Sequence, residues 1–107
     1  MRVELHPEVG SEIRSAALWY EEQRQGLGDA FVPAVAEVLD RIENAPQAFP
    51  RWPGTTSAAL VIRKAVLSRF PYLIAFEHYA DHVLVLGVVH SKRRPLYWLR
   101  RGVGGHP

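Results

Sequence analysis

Residues 83–89 (VLVLGVV) are apolar without a break. A strand with one wet face alternates apolar and polar residues, whereas a strand that does not alternate must be covered on both faces. This run therefore predicts a central strand, and the remaining elements must supply cover for it. It is far too short to cross a membrane. The preceding Ala80-Asp81-His82 reads as a tight turn, which makes residues 72–79 and 83–89 an antiparallel hairpin. Residues 59–67 form a further strand-like segment, interrupted by Arg63 and Lys64. Arg69-Phe70-Pro71 marks the turn after it, with Pro71 opening the next strand.

The N-terminal half has a different period. Residues 2–6 alternate weakly and read as a short first strand. Pro7 suits the first turn of a helix, where its missing N–H is not needed. Val9, Ile13, Ala16, Ala17 and Tyr20 recur at helical spacing, which predicts a helix over 7–24. Gly26-Leu27-Gly28-Asp29 breaks it, and Asp29 is the expected N-cap of a second helix. Phe31, Val35, Val38 and Ile42 form the apolar stripe of that helix, which Asn44-Ala45-Pro46 ends. Residues 45–58 are a Pro-rich loop, with Phe49 and Trp52 pinning it to the core. The order β-α-α-β-β-β plus a short C-terminal tail predicts an α+β fold. Its antiparallel sheet carries a helical hairpin on one face, leaving the other face and the tail for partners. At 107 residues the chain is expected to be a single domain, residues 1–107.

Charge is divided unevenly along the chain. Residues 1–50 hold four Arg and nine Asp or Glu, a net of −5. Residues 51–107 hold nine Lys or Arg and two Asp or Glu, a net of +7. The basic half is expected to face an anionic partner. Eleven of the thirteen cations are Arg, the residue suited to forked contacts with carboxylate or phosphate. With no cysteine, neither a disulfide framework nor a thiolate metal site is available. The start of the chain lacks the apolar region of a secretory signal, so a cytoplasmic location is expected.

The richest chemistry follows the central strand: His90, then Lys92, Arg93, Arg94, Tyr97, Trp98, Arg100 and Arg101. Cations interleaved with aromatic rings could clamp phosphates or bind acidic side chains, or the rings could fold the tail back on the helices. His90 could serve as a general base near neutral pH, or it could be an inert histidine packed at a strand end. Arg63, Lys64 and Arg69 could extend the basic patch across the sheet. Trp19, Tyr20 and Trp52 read as core or helix-face residues. The chain has no Gly-rich phosphate loop, GxSxG or HExxH, and its five histidines do not combine with carboxylates at metal spacing.

Several pieces resemble the RelE/ParE superfamily of type II toxins. Ala17-Leu18-Trp19-Tyr20-Glu21-Glu22-Gln23 followed by Gly26-Leu27-Gly28-Asp29-Ala30-Phe31 resembles its paired helices. Ile42-Glu43-Asn44-Ala45-Pro46 with Phe49-Pro50 resembles the end of its second helix. Arg63, Phe70-Pro71-Tyr72, Phe76 and residues 88–98 (VVHSKRRPLYW) resemble its sheet and tail. The resemblance implies a toxin without a cofactor, held inactive by a cognate antitoxin. RelE-like members cut mRNA on the ribosome with several basic residues and a Tyr, and ParE-like members inhibit DNA gyrase. A RelE-like member places an Arg where this chain has Tyr72-Leu73-Ile74, and lysines where it has only Arg51. The likeness is therefore nearer to the ParE-like, plasmid-stabilisation branch. On that reading Arg63, Arg69, Lys92, Arg93, Arg94, Tyr97 and Trp98 form a docking surface for target or antitoxin. On the ribonuclease reading His90, Arg93, Arg94 and Tyr97 form the site. A third reading is a non-toxic homologue that keeps only antitoxin binding.

Overall fold

The computed structural model describes residues 1–52, 61–92 and 101. Strand β1 (Arg2–Leu5) leads into helix α1 (Pro7–Gln23), then helix α2 (Leu27–Asn44) and a single 3-10 turn (Pro46–Ala48). Strands β2 (Ile62–Val66), β3 (Tyr72–His78) and β4 (His82–His90) follow. The fold is α+β in the expected order. The sheet order is β1-β4-β3-β2. It is antiparallel through β2, β3 and β4, as expected, but β1 joins β4 in parallel, so the sheet is mixed. The reason is directional. The helices and the loop after them return the chain so that β2 runs the same way as β1. Two reversals then bring β4 back into that direction.

β4 is central, and its lack of alternation has a specific cause. Ala75 pairs with Gly87 but Phe76 pairs with Val85, so Leu86 is an extra residue in a β-bulge. Val83, Val85 and Val88 enter the core under the helices. Leu86 and Val89 enter a second cluster on the opposite face with Ile62 and Ala75, and Trp52, Leu73 and Leu84 pack against it. That opposite face, expected to be open, is thus apolar and buried over these residues. The loop aromatics pin the chain as anticipated: Phe49 packs edge-on against Phe76 at 5.9 Å, and Trp52 joins the second cluster.

An aromatic cluster binds the hairpin to the sheet. Phe31 lies 5.4 Å from Tyr20, 5.1 Å from Phe70 and 5.0 Å from Tyr72, and Tyr20 lies 4.9 Å from Phe70. These four rings come from α1, α2, the β2–β3 turn and the start of β3. Tyr20, Phe31, Phe70 and Tyr72, four of the residues that carry the family resemblance, are therefore packing residues.

α1 is capped by His6, whose Nδ1 accepts from the Glu8 N–H at 3.1 Å. The start of α2 differs from expectation. Asp29 lies inside the helix, and the N-cap is Gly26 at φ 92°, a left-handed conformation that favours glycine. The capping side chain comes from α1 instead. Glu21 accepts from the Gly26 N–H at 2.8 Å and the Gly28 N–H at 2.9 Å. Gly28 is where the helices touch, since an added Cβ would overlap the Ala17 carbonyl oxygen and lie 2.9 Å from Glu21 Oε1.

The Gly26 N–H is the chief reason that the Glu21 pKa sits below its ordinary 4.5. The Gly28 and Asp29 N–H groups act the same way, against the opposing effect of burial. A carboxylate whose folded pKa is depressed stabilises the fold above its unfolded pKa, and loses that contribution as pH falls through the folded pKa. Glu21→Gln should therefore lower Tm at neutral pH, and the gap should close as pH falls below the carboxylate range. Thermal melts across pH check this, and a pH-independent gap would contradict the capping role.

Candidate functional site

The end of β4 and the β2–β3 turn lie side by side, because the Ser91 N–H donates to the Pro71 carbonyl at 2.8 Å. This edge of the sheet gathers His90, Lys92 and Arg69. His90, half-buried, stands opposite Tyr72 in the β3–β4 register, with ring centroids 5.3 Å apart at 80°. Its Nδ1 accepts from the Lys92 backbone N–H at 3.1 Å. An accepting Nδ1 assigns the proton of the neutral ring to Nε2, which can then donate but not take up a proton. Lys92 and Arg69 are exposed, and the Arg69 guanidinium lies 5.9 Å over the Phe70 ring.

A cleft of about 280 Å³ separates this end of the sheet from α1. It is lined by Ser11, Glu12, Ser15, Trp19, Tyr72 and His90, with Ala16 and Val88 in its wall. Trp19, expected in the core or on a helix face, is 55% exposed on α1 beside this cleft. Its neighbour Tyr20 takes the packed position. The 3.6-residue period gives the reason, since adjacent residues of a helix lie 100° apart and only one of the pair can enter the core.

Arg63 belongs to a different part of the sheet. It stands opposite Phe76, whereas His90 stands opposite Tyr72. The two are thus four residues apart along β3 and two strands apart across the sheet, about 13 Å by about 10 Å. Arg63 is half-buried and engaged: Nη1 donates to the Phe49 carbonyl at 2.8 Å, and Nε to His78 Nδ1 at 3.1 Å. Burial, and then the Arg63 charge, hold the His78 pKa below its usual value, so its ring stays neutral and can accept.

Arg101 is likewise engaged inside the molecule. β1 pairs with β4 only as far as Val85, so among the described residues β4 continues past it without a strand partner on that side. Glu12 and Arg101 occupy that edge. Glu12 Oε1 accepts from the Val88 N–H at 3.0 Å, and Arg101 Nη1 donates to the Leu86 carbonyl at 3.0 Å and to Glu12 Oε2 at 2.9 Å. Nothing local in the sequence announces this pair, whose members are 89 residues apart.

Arg93, Arg94, Tyr97 and Trp98 lie outside the described residues. Among the described residues, no group of three His, Asp or Glu side chains is placed to hold a metal ion, and no helix is long and apolar enough to cross a membrane. The arrangement at the β4 end offers exposed cations, ring faces and a hydroxyl-lined cleft, which suits recognition of an anionic surface.

No family model matches the chain, and no curated protein matches it. A solved chain of the chromosomal ParDE TA system from P. aeruginosa is similar in structure, with a TM-score of 0.61. The two are 12% identical, and the likeness covers 84% of this chain and 95% of that one. At that identity the shared property is the fold. It is the fold to which the sequence resemblance also points.

Proposed function

We propose that this protein is the toxin of a type II toxin–antitoxin pair, acting as a ParE-like inhibitor of DNA gyrase that a cognate antitoxin neutralises. The observation that carries the reading is the fold shared with the ParDE system chain, over nearly the whole length of both. The charge division supports it, since an Arg-rich half fits an acidic, disordered antitoxin segment that folds on binding. The exposed Arg69 and Lys92 beside His90 and Tyr72 support a docking surface at the β4 end. On this reading Arg93, Arg94, Tyr97 and Trp98 continue that surface, and an antitoxin covering it would block the target by occlusion.

The alternative is a ribosome-dependent mRNA endonuclease using His90, Arg93, Arg94 and Tyr97. It needs a group that removes the 2′-hydroxyl proton and cations that stabilise the phosphorane. The Lys92 N–H on His90 Nδ1 weighs against it, because a general base at Nε2 requires that bond to break first. Induction of the chain in bacteria, with viable counts and mapping of transcript ends, separates the readings. Lost viability with translated transcripts intact, restored by the cognate antitoxin, is the expected result. Transcripts cut within their translated regions would move the function to the ribosome. Normal growth with folded protein present would leave a non-toxic antitoxin-binding homologue.

A further inference from the structure

The outer face of the helical hairpin carries an apolar groove that the reading above does not use. Its volume is about 530 Å³. Gly10, Ala17 and Gly28 are among the small residues that line it, and Leu18 and Val32 stand beside them at 66% and 47% exposure. Leu18 is the most exposed large apolar side chain on α1. A leucine in water next to a groove of small residues forgoes the burial that a covering surface would supply.

The charges along the same ridge indicate what covers it. Arg14, Leu18 and Glu22 follow at four-residue spacing, which puts them in one row along α1. The Arg14 guanidinium lies back over Gly10, 3.2 Å from where a Cβ would stand. Arg14 and Glu22 have no ion-pair or hydrogen-bond partner among the described residues, and both are exposed. The row is self-complementary about its centre. A two-fold axis through Leu18 lays α1 antiparallel to its copy and packs Leu18 on Leu18. It sets each Arg14 opposite the other copy's Glu22. A two-fold contact requires this property, in which one patch matches itself when reversed.

We infer that a second copy of this chain covers the groove, forming a two-fold dimer through α1 with Leu18 at the axis and two Arg14–Glu22 pairs flanking it. The contact is small and its ion pairs are exposed, so the dimer is weak and sensitive to salt.

Sedimentation equilibrium of the full chain, from about 5 to about 200 µM, covers the range in which such a contact assembles. The expected mass rises with concentration from the 12.1 kDa monomer towards twice that value. Leu18→Glu should remain monomeric throughout with an unchanged circular dichroism spectrum. Arg14→Glu and Glu22→Arg, each alone, should weaken the dimer about tenfold, as like charges then face each other, and the double reversal should restore it. Wild-type protein that stays monomeric at every concentration would overturn the inference. A dimer that survives Leu18→Glu, or one that the double reversal does not restore, would overturn it as well.

Discussion

Phe31→Ala should cost about 3–5 kcal/mol, the range for truncating a fully buried Phe. Phe31 is 0% exposed and touches rings from α1, the β2–β3 turn and β3. Its loss would leave a cavity between the hairpin and the sheet, with Tyr20, Phe70 and Tyr72 each short of a ring partner. A domain of this size has about 5–15 kcal/mol in total, so the variant should lose a large share of its stability. Its neighbour Val32 is 47% exposed, and Val32→Ala should shift stability by no more than about 0.5 kcal/mol. Urea denaturation of the three proteins measures both values. A cost under about 1.5 kcal/mol for Phe31→Ala would mean that the four-ring cluster does not hold the hairpin down.

The second large effect is functional. On the proposed docking reading, replacing Arg93 and Arg94 together by Ala should abolish growth inhibition. A charge-assisted hydrogen bond from Arg is worth about 1.5–3 kcal/mol, so losing two such contacts should weaken target binding about 10²- to 10⁴-fold. Arg63→Ala makes an instructive comparison. The Arg63 guanidinium is spent on Phe49 and His78, so its loss should lower Tm by removing two internal bonds. Viable counts after induction, with melts of the same proteins, separate docking from folding roles. Full toxicity in the Arg93→Ala/Arg94→Ala protein would remove those residues from the docking surface.

What could be read from the sequence was the repeating pattern, and what could not was long-range partnership. The apolar stripes of α1 and α2 and the unbroken run in β4 follow from local periodicity, so the elements and their order were legible. Pairing across the chain leaves no such trace. Arg2 faces His82 and Glu12 meets Arg101, so neither the parallel β1 nor the capped edge of β4 shows in any window of residues. The α2 cap failed for a related reason. Asp29 has the chemistry of an N-cap, but the helix already begins at Leu27, and Glu21 of the preceding helix takes the Gly26 and Gly28 N–H groups.

The site divides in the same way. Composition identified the cations, but their separate uses depend on geometry. Arg101 satisfies the open edge of β4, Arg63 holds the loop carbonyl of Phe49, and Arg69 and Lys92 face outward beside His90. Trp19 could not be placed from spacing, because Trp19 and Tyr20 are adjacent aromatics on one helix and the side chains packed against them decide which enters the core.

The proposed inhibition of gyrase is tested most directly by supercoiling of relaxed plasmid, with purified gyrase and this protein titrated in. Topoisomers and linear DNA are scored on one gel. The expected result is loss of supercoiling, with linear DNA appearing as the protein is added, and reversal when the cognate antitoxin is present. Undisturbed supercoiling at a large molar excess of folded protein would contradict the assignment.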